Sequence, residues 1–228
     1  MAMTPVHRSD AAGHFEPLAD RILEAALQRA EECGWEAVEM TEVAARLDIS
    51  ASSILDHYRD LDAIANAWFL RGWRAMLANK PDGFDTWPAK ERIEYCMLAW
   101  FDALAPHRRV TVQMLRTKAH LPHLHTWGPM IFDLSRTIQW LRQAARLEAP
   151  YGTRRARMEE IGLTALFLDT LRIWSRDETP NQQDTRHFLG KRLERGDRLM
   201  RWIWRGRDGG LSRSAETHEP SPEIVDKL

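Results

Sequence analysis

The stretch Thr41–Ile64, TEVAARLDISASSILDHYRDLDAI, decides how this chain is read. Val43, Ala44 and Leu47 share one face of a short helix, with Thr41 as its expected N-cap. Ser50 is the expected cap of a second short helix. Between the two, Asp48, Ile49 and Ser50 make a three-residue turn, the length that joins the helices of a helix-turn-helix. The small pair Ala44 and Ala45 allows close helix approach, Ile49 fills the corner, and Asp60 opens the next helix.

Outward from this motif only helical patterns appear. Upstream, Leu18, Ile22, Leu23, Ala26, Leu27 and Ala30 recur at helical spacing, and Gly34 supplies a stop. Downstream, the helix opened by Asp60 carries Ile64, Trp68 and Trp73 and ends before Pro81 and Gly83. Further helices are expected after Trp87-Pro88, over 110–115, 129–147, 154–176 and 181–205, with a turn-rich corner at 122–128. The expected organisation is a flexible arm over 1–16, a helix-turn-helix domain over 17–80, a helical ligand-binding and dimerisation domain over 81–206, and a disordered tail over 207–228. The fold class is all-α.

Composition narrows the classes. The chain has 228 residues, enough for a reading domain joined to a larger sensing one. At 44% hydrophobic and 29% charged it reads as globular. Charged residues interrupt every apolar stretch, and the start is polar, so neither a spanning helix nor a secretory signal is expected and the location is expected to be cytoplasmic. Cys33 and Cys96 have no finger spacing. His120, His123 and His125 lack a carboxylate or Cys at helical spacing, so no metal site and no cofactor are expected. There is no Gly-rich phosphate loop, nucleophile elbow or zincin spacing, and no enzyme is expected.

The segment Thr41–Ile64 resembles the DNA-binding motif of the TetR family without a gap, Ile54, His57 and Tyr58 falling at its packing positions and Asp62 and Ile64 at the start of its next helix. The resemblance implies a homodimeric one-component transcription regulator, a repressor by expectation, that binds operator DNA and responds to a small hydrophobic ligand. The DNA-contacting set is then Thr41, Arg46, Ser50, Ala51, Ser52, Ser53, Asp56, His57 and Arg59. Arg46, Arg59 and Arg8 of the arm are the candidates for phosphate. The sequence departs from the family at Leu55, where a phosphate-contacting Tyr is usual, and at Leu61, where a Lys is usual. Leu18 to Lys80 hold seven basic and eleven acidic side chains, a net of −4, which is a poor electrostatic footprint for DNA. A helix-turn-helix also occurs as a purely structural element.

In the C-terminal half, segments at 103–108, 174–179 and 185–192 resemble a second family, the TetR-fold lipid-binding accessory proteins of ubiquinone biosynthesis, which implies a lipid-handling alternative without DNA binding. Leu189, Leu193, Gly196, Met200 and Ile203 form an apolar stripe on the last helix. Arg186 to Arg207 carry eight basic residues against Glu194 and Asp197, a net of +6, suited to a membrane surface through 186–207 or to the solvated flank of a helical interface. The interface is the favoured reading. The expected dimer residues are Ile161, Leu168, Leu189, Leu193, Met200 and Ile203, and the expected ligand contacts are Trp100, Met114, Phe132, Phe167 and Trp174. Asp169 and Arg172, three apart, are an expected pair.

Overall fold

The computed structural model describes residues 17–119, 124–150 and 152–211, with side chains described over 17–118, 134–150 and 152–199. The arm 1–16 with Arg8 and the tail from 212 lie outside the described residues. So do the side chains of Phe132, Met200, Ile203 and the three histidines.

Among the described residues the chain is all-α, as expected, with nine helices and no strand. They are α1 (Leu18–Cys33), α2 (Met40–Leu47), α3 (Ala51–Leu55), α4 (Leu61–Leu77), α5 (Ala89–Leu104), α6 (Arg108–Ala119), α7 (Leu124–Ala144), α8 (Arg154–Trp174) and α9 (Gln183–Leu211). α1 stops where the periodicity says. Gly34 takes φ 91°, a conformation glycine adopts without a Cβ penalty, and its N–H donates to Ala30 O at 2.9 Å. α2 begins earlier than expected: Glu39 stands at the N-cap with no side-chain bond, and Thr41 lies exposed in the first turn. α7 starts at Leu124, so part of the expected corner is helical; Leu124, Trp127, Ile131 and Leu134 keep helical spacing across Gly128-Pro129. α9 runs to Leu211, into the stretch expected as tail.

The chain packs as two compact units. The first runs to Arg71 and takes in Leu104–Trp127; the second holds Gly72–Ala103 and resumes at Gly128. In the first, Ile22, Leu27, Val43, Ile54, Ile64 and Trp68 form a buried core under the helix-turn-helix. α6 braces it. Trp68 Nε1 donates to Thr111 Oγ1 at 2.8 Å, the Trp35 N–H donates to Gln113 Oε1 at 2.8 Å, and Lys118 reaches Asp62 and Asn66. The His107 ring lies between Glu24 and Glu31 at 3.3 and 3.4 Å.

In the second unit the core is aromatic. Trp100, Phe101, Phe167 and Trp174 are all buried, with ring centroids 5.1 to 6.5 Å apart. Trp100 fits because position 72 is glycine: a Cβ there would stand 2.7 Å from Trp100 Nε1. The α8–α9 turn is held from within. The buried Asp177 carboxylate accepts from the N–H and hydroxyl of both Thr179 and Thr185. Burial pushes this carboxyl up, but those bonds outweigh it and hold it down at about 2. Asn181 and Gln182 both take left-handed φ, 53° and 56°, and Gln182 bridges Trp174 Nε1 at 2.5 Å to Asp102 at 2.9 Å.

Candidate DNA interface and C-terminal sites

Local chemistry builds the helix-turn-helix. Asp48 closes α2 in the left-handed region, φ 54°, which short polar residues tolerate, and the Ile49 N–H turns back to Ala44 O at 3.1 Å. Ser50 caps α3 as expected, its Oγ accepting from the Ser53 N–H at 3.1 Å. The same Oγ lies 2.8 Å from both Ser52 Oγ and Ser53 Oγ, so the three hydroxyls form one local network. Asp60 caps α4 by accepting from the Ala63 N–H at 2.8 Å.

Packing corrects two details. Of the small pair, Ala44 is buried and Ala45 is exposed, so one alanine sets the helix approach. His57 is exposed and does not pack, while Ile54 is fully buried and Tyr58 donates its hydroxyl to Ala19 O at 3.1 Å. Ala51, Ser52 and Leu55 point outward on α3, with Asp56 outward at its C-cap, Leu55 being 64% exposed.

The two phosphate candidates among the described residues are engaged by acids. Arg46 Nη2 donates to both carboxylate oxygens of Glu32 at 2.8 Å, and Arg59 Nε donates to Asp60 at 2.8 Å. Arg29 completes the set, donating to Glu42 at 2.8 and 3.2 Å and to Glu32 at 3.1 Å, and so ties α1 to α2. The Arg46 and Arg29 guanidiniums hold the Glu32 carboxyl below its ordinary range, and Arg59, with the Ala63 N–H, does the same for Asp60. Sequence reading missed Glu32. It lies fourteen residues from Arg46, and only the packing of α1 on α2 brings the two together.

Of the five expected ligand contacts, Trp100, Phe167 and Trp174 meet in the aromatic core of the second unit, where they fill one another's space. Met114 belongs to the first unit, where it lines a half-open hollow of about 280 Å³ with Trp35, Leu61, Ala65 and Lys118.

Comparison with solved structures identifies the architecture. A TetR transcriptional regulator from Nitrosomonas europaea is 38% identical, the match covering 78% of this chain and 97% of that one with a TM-score of 0.69. The chain belongs to the TetR family of transcriptional regulators. Two more distant TetR-family structures share the fold: a regulator from a Rhodococcus species at 15% identity, covering 77% and 92% of the two chains with a TM-score of 0.55, and PfmR from Thermus thermophilus at 18%, covering 77% and 98% with a TM-score of 0.50. No family model and no curated protein matches the sequence. The reported neighbours are transcriptional regulators, and nothing among them supports the lipid-binding accessory alternative.

In this TetR-family regulator the expected dimer residues divide. Leu189 and Leu193 are buried within the protomer, because that side of α9 packs on α8. Ile161 (71% exposed) and Leu168 (45%) face outward on α8 with Met158 and Ala165, and Leu199 (56%) faces outward on α9. Asp169 does not pair with Arg172; its carboxylate receives Arg192 of α9 at 2.6 Å, closing the two helices together. Arg186 is likewise taken, by both oxygens of Asp102 at 2.7 Å. No helix of the described residues is long and apolar enough to cross a membrane.

Proposed function

We propose that this regulator is a repressor that binds operator DNA as a homodimer and is released by a small hydrophobic ligand. Residues 17–80 are the DNA-binding domain, 81–206 the ligand-binding and dimerisation domain, and the site of action is the cytoplasm. The observation that carries the reading is the capped helix-turn-helix, with Ser50 holding α3 and the face Ala51, Ser52, Leu55 and Asp56 left outward, in a chain 38% identical to a TetR regulator. The outward apolar residues of α8 and α9 supply the dimer face. Ligand binding among the C-terminal helices would favour a dimer whose α3 helices no longer match half-sites about 34 Å apart. Contact with a membrane surface through 186–207 is the weaker reading, since Arg186 and Arg192 are already held by Asp102 and Asp169.

The test is selection from random duplexes at low salt with the purified chain. The expected result is one enriched, two-fold-related sequence; enrichment no better than non-specific background would overturn the reading.

A further inference from the structure

The outward face of α3 holds an unusual set of groups for a base reader. Ala51 presents a methyl, Ser52 a hydroxyl, Leu55 an isobutyl group 64% exposed, and Asp56 a carboxylate with no partner among the described residues. No Arg, Lys, Asn or Gln stands on this helix. The arginines that flank it in the sequence, Arg46 and Arg59, are paired with Glu32 and Asp60.

Each base pair offers a distinct pattern in the major groove. Guanine offers two acceptors that call for a forked cationic donor, adenine calls for a side-chain amide, thymine offers a C5-methyl group, and cytosine an amino donor. The groups on α3 match only part of that list. An isobutyl group and a methyl have nothing to offer guanine and can gain only by removing apolar surface from water. A carboxylate accepts and cannot donate.

Resting on the DNA-binding reading above, the geometry points to a face that reads pyrimidines: Leu55, with Ala51 beside it one turn back, contacts a thymine methyl, and Asp56 accepts from a cytosine amino group. Leu55, standing where the family commonly has a phosphate-contacting Tyr, is then a specificity-determining residue. Selectivity is for methyl-bearing and amino-bearing pyrimidine edges, without the forked cationic donor that guanine calls for.

The experiment follows selection of the operator. Each thymine of a half-site is replaced in turn by deoxyuridine, which deletes only the methyl, and affinities are measured by fluorescence anisotropy for the wild type and for Leu55→Ala. Leu55 is exposed, so the variant keeps the core, and circular dichroism checks this. At one or two thymines per half-site the wild type is expected to lose about fourfold, the effect of one methyl's burial, and Leu55→Ala is expected to lose less than about twofold at the same position. Asp56→Asn is expected to relax the choice of cytosine at a neighbouring position in a repeated selection. Deoxyuridine penalties that are absent, or the same in wild type and Leu55→Ala, overturn the readout while leaving DNA binding intact. Failure to enrich any sequence removes the DNA-binding reading and this one with it.

Discussion

At the scale of the residue, the ion pairs on α1 and α2 decide how the helix-turn-helix meets a polyanion. Glu32 competes with a phosphate for the Arg46 charge. Glu32→Gln removes that competitor while Arg29 keeps Glu42, so the helices stay joined. The variant is expected to bind duplex DNA several-fold more tightly at low salt. Its plot of log affinity against log salt should steepen by about 0.9, the slope of one added phosphate contact, and an unchanged slope in a salt titration would show that Arg46 touches no phosphate. A second residue acts on stability. Asp177 has its carboxyl lowered to about 2 when folded, below the ordinary value of 3.8, so its contribution is complete at neutral pH and is lost as pH falls from about 4 towards 2. Asp177→Asn should cost about 1 to 3 kcal/mol at pH 7, since an amide cannot accept all four bonds. The gap between the two denaturant midpoints should close as the pH approaches 2. Caps such as Ser50 and Asp60 were legible in the sequence because donor and acceptor lie three residues apart. The Arg46–Glu32 and Asp169–Arg192 pairs were not, because they depend on which helices lie side by side.

At the scale of the element, α4 and α5 meet through an absence of atoms at Gly72. Gly72→Ala would improve helix propensity by about 1 kcal/mol in an open helix. Here the new methyl would stand 2.7 and 2.8 Å from Nε1 and Cδ1 of the Trp100 ring, which is itself wedged among Phe101, Phe167 and Trp174. The expected outcome in chemical denaturation is a net loss of about 1 to 3 kcal/mol. Recovery in the double variant Gly72→Ala/Trp100→Phe, where the smaller ring makes room, would trace the loss to this contact. The existence of these helices was legible from apolar spacing. The start of α7 was not, because Gly128-Pro129, where local rules would begin a helix, lies inside it. The outward side of α8 and α9 was also hidden: from Ile161 to Trp174 α8 is apolar almost all round, and a stripe through Leu189 and Leu193 looks the same whether it packs inside the protomer or against a second one.

At the scale of the whole molecule, the outward apolar residues of α8 and α9 bear on assembly. Ile161→Glu and Leu168→Glu each place a charge on an exposed position, so the protomer should fold as before. Sedimentation velocity is expected to move from dimer to monomer, and DNA affinity to fall with it because two half-sites are no longer held by one particle; a dimer that survives both changes would move the interface elsewhere. The acids that engage Arg29, Arg46 and Arg59 carry a further consequence, for search. A reader that neutralises few phosphates holds loosely to arbitrary sequence, so the bulk of the chromosome withdraws few copies from solution. Such a protein would reach its target mainly by repeated encounters in three dimensions instead of long excursions along the duplex. The number of molecules a cell must keep would then depend less on competition from the rest of the chromosome.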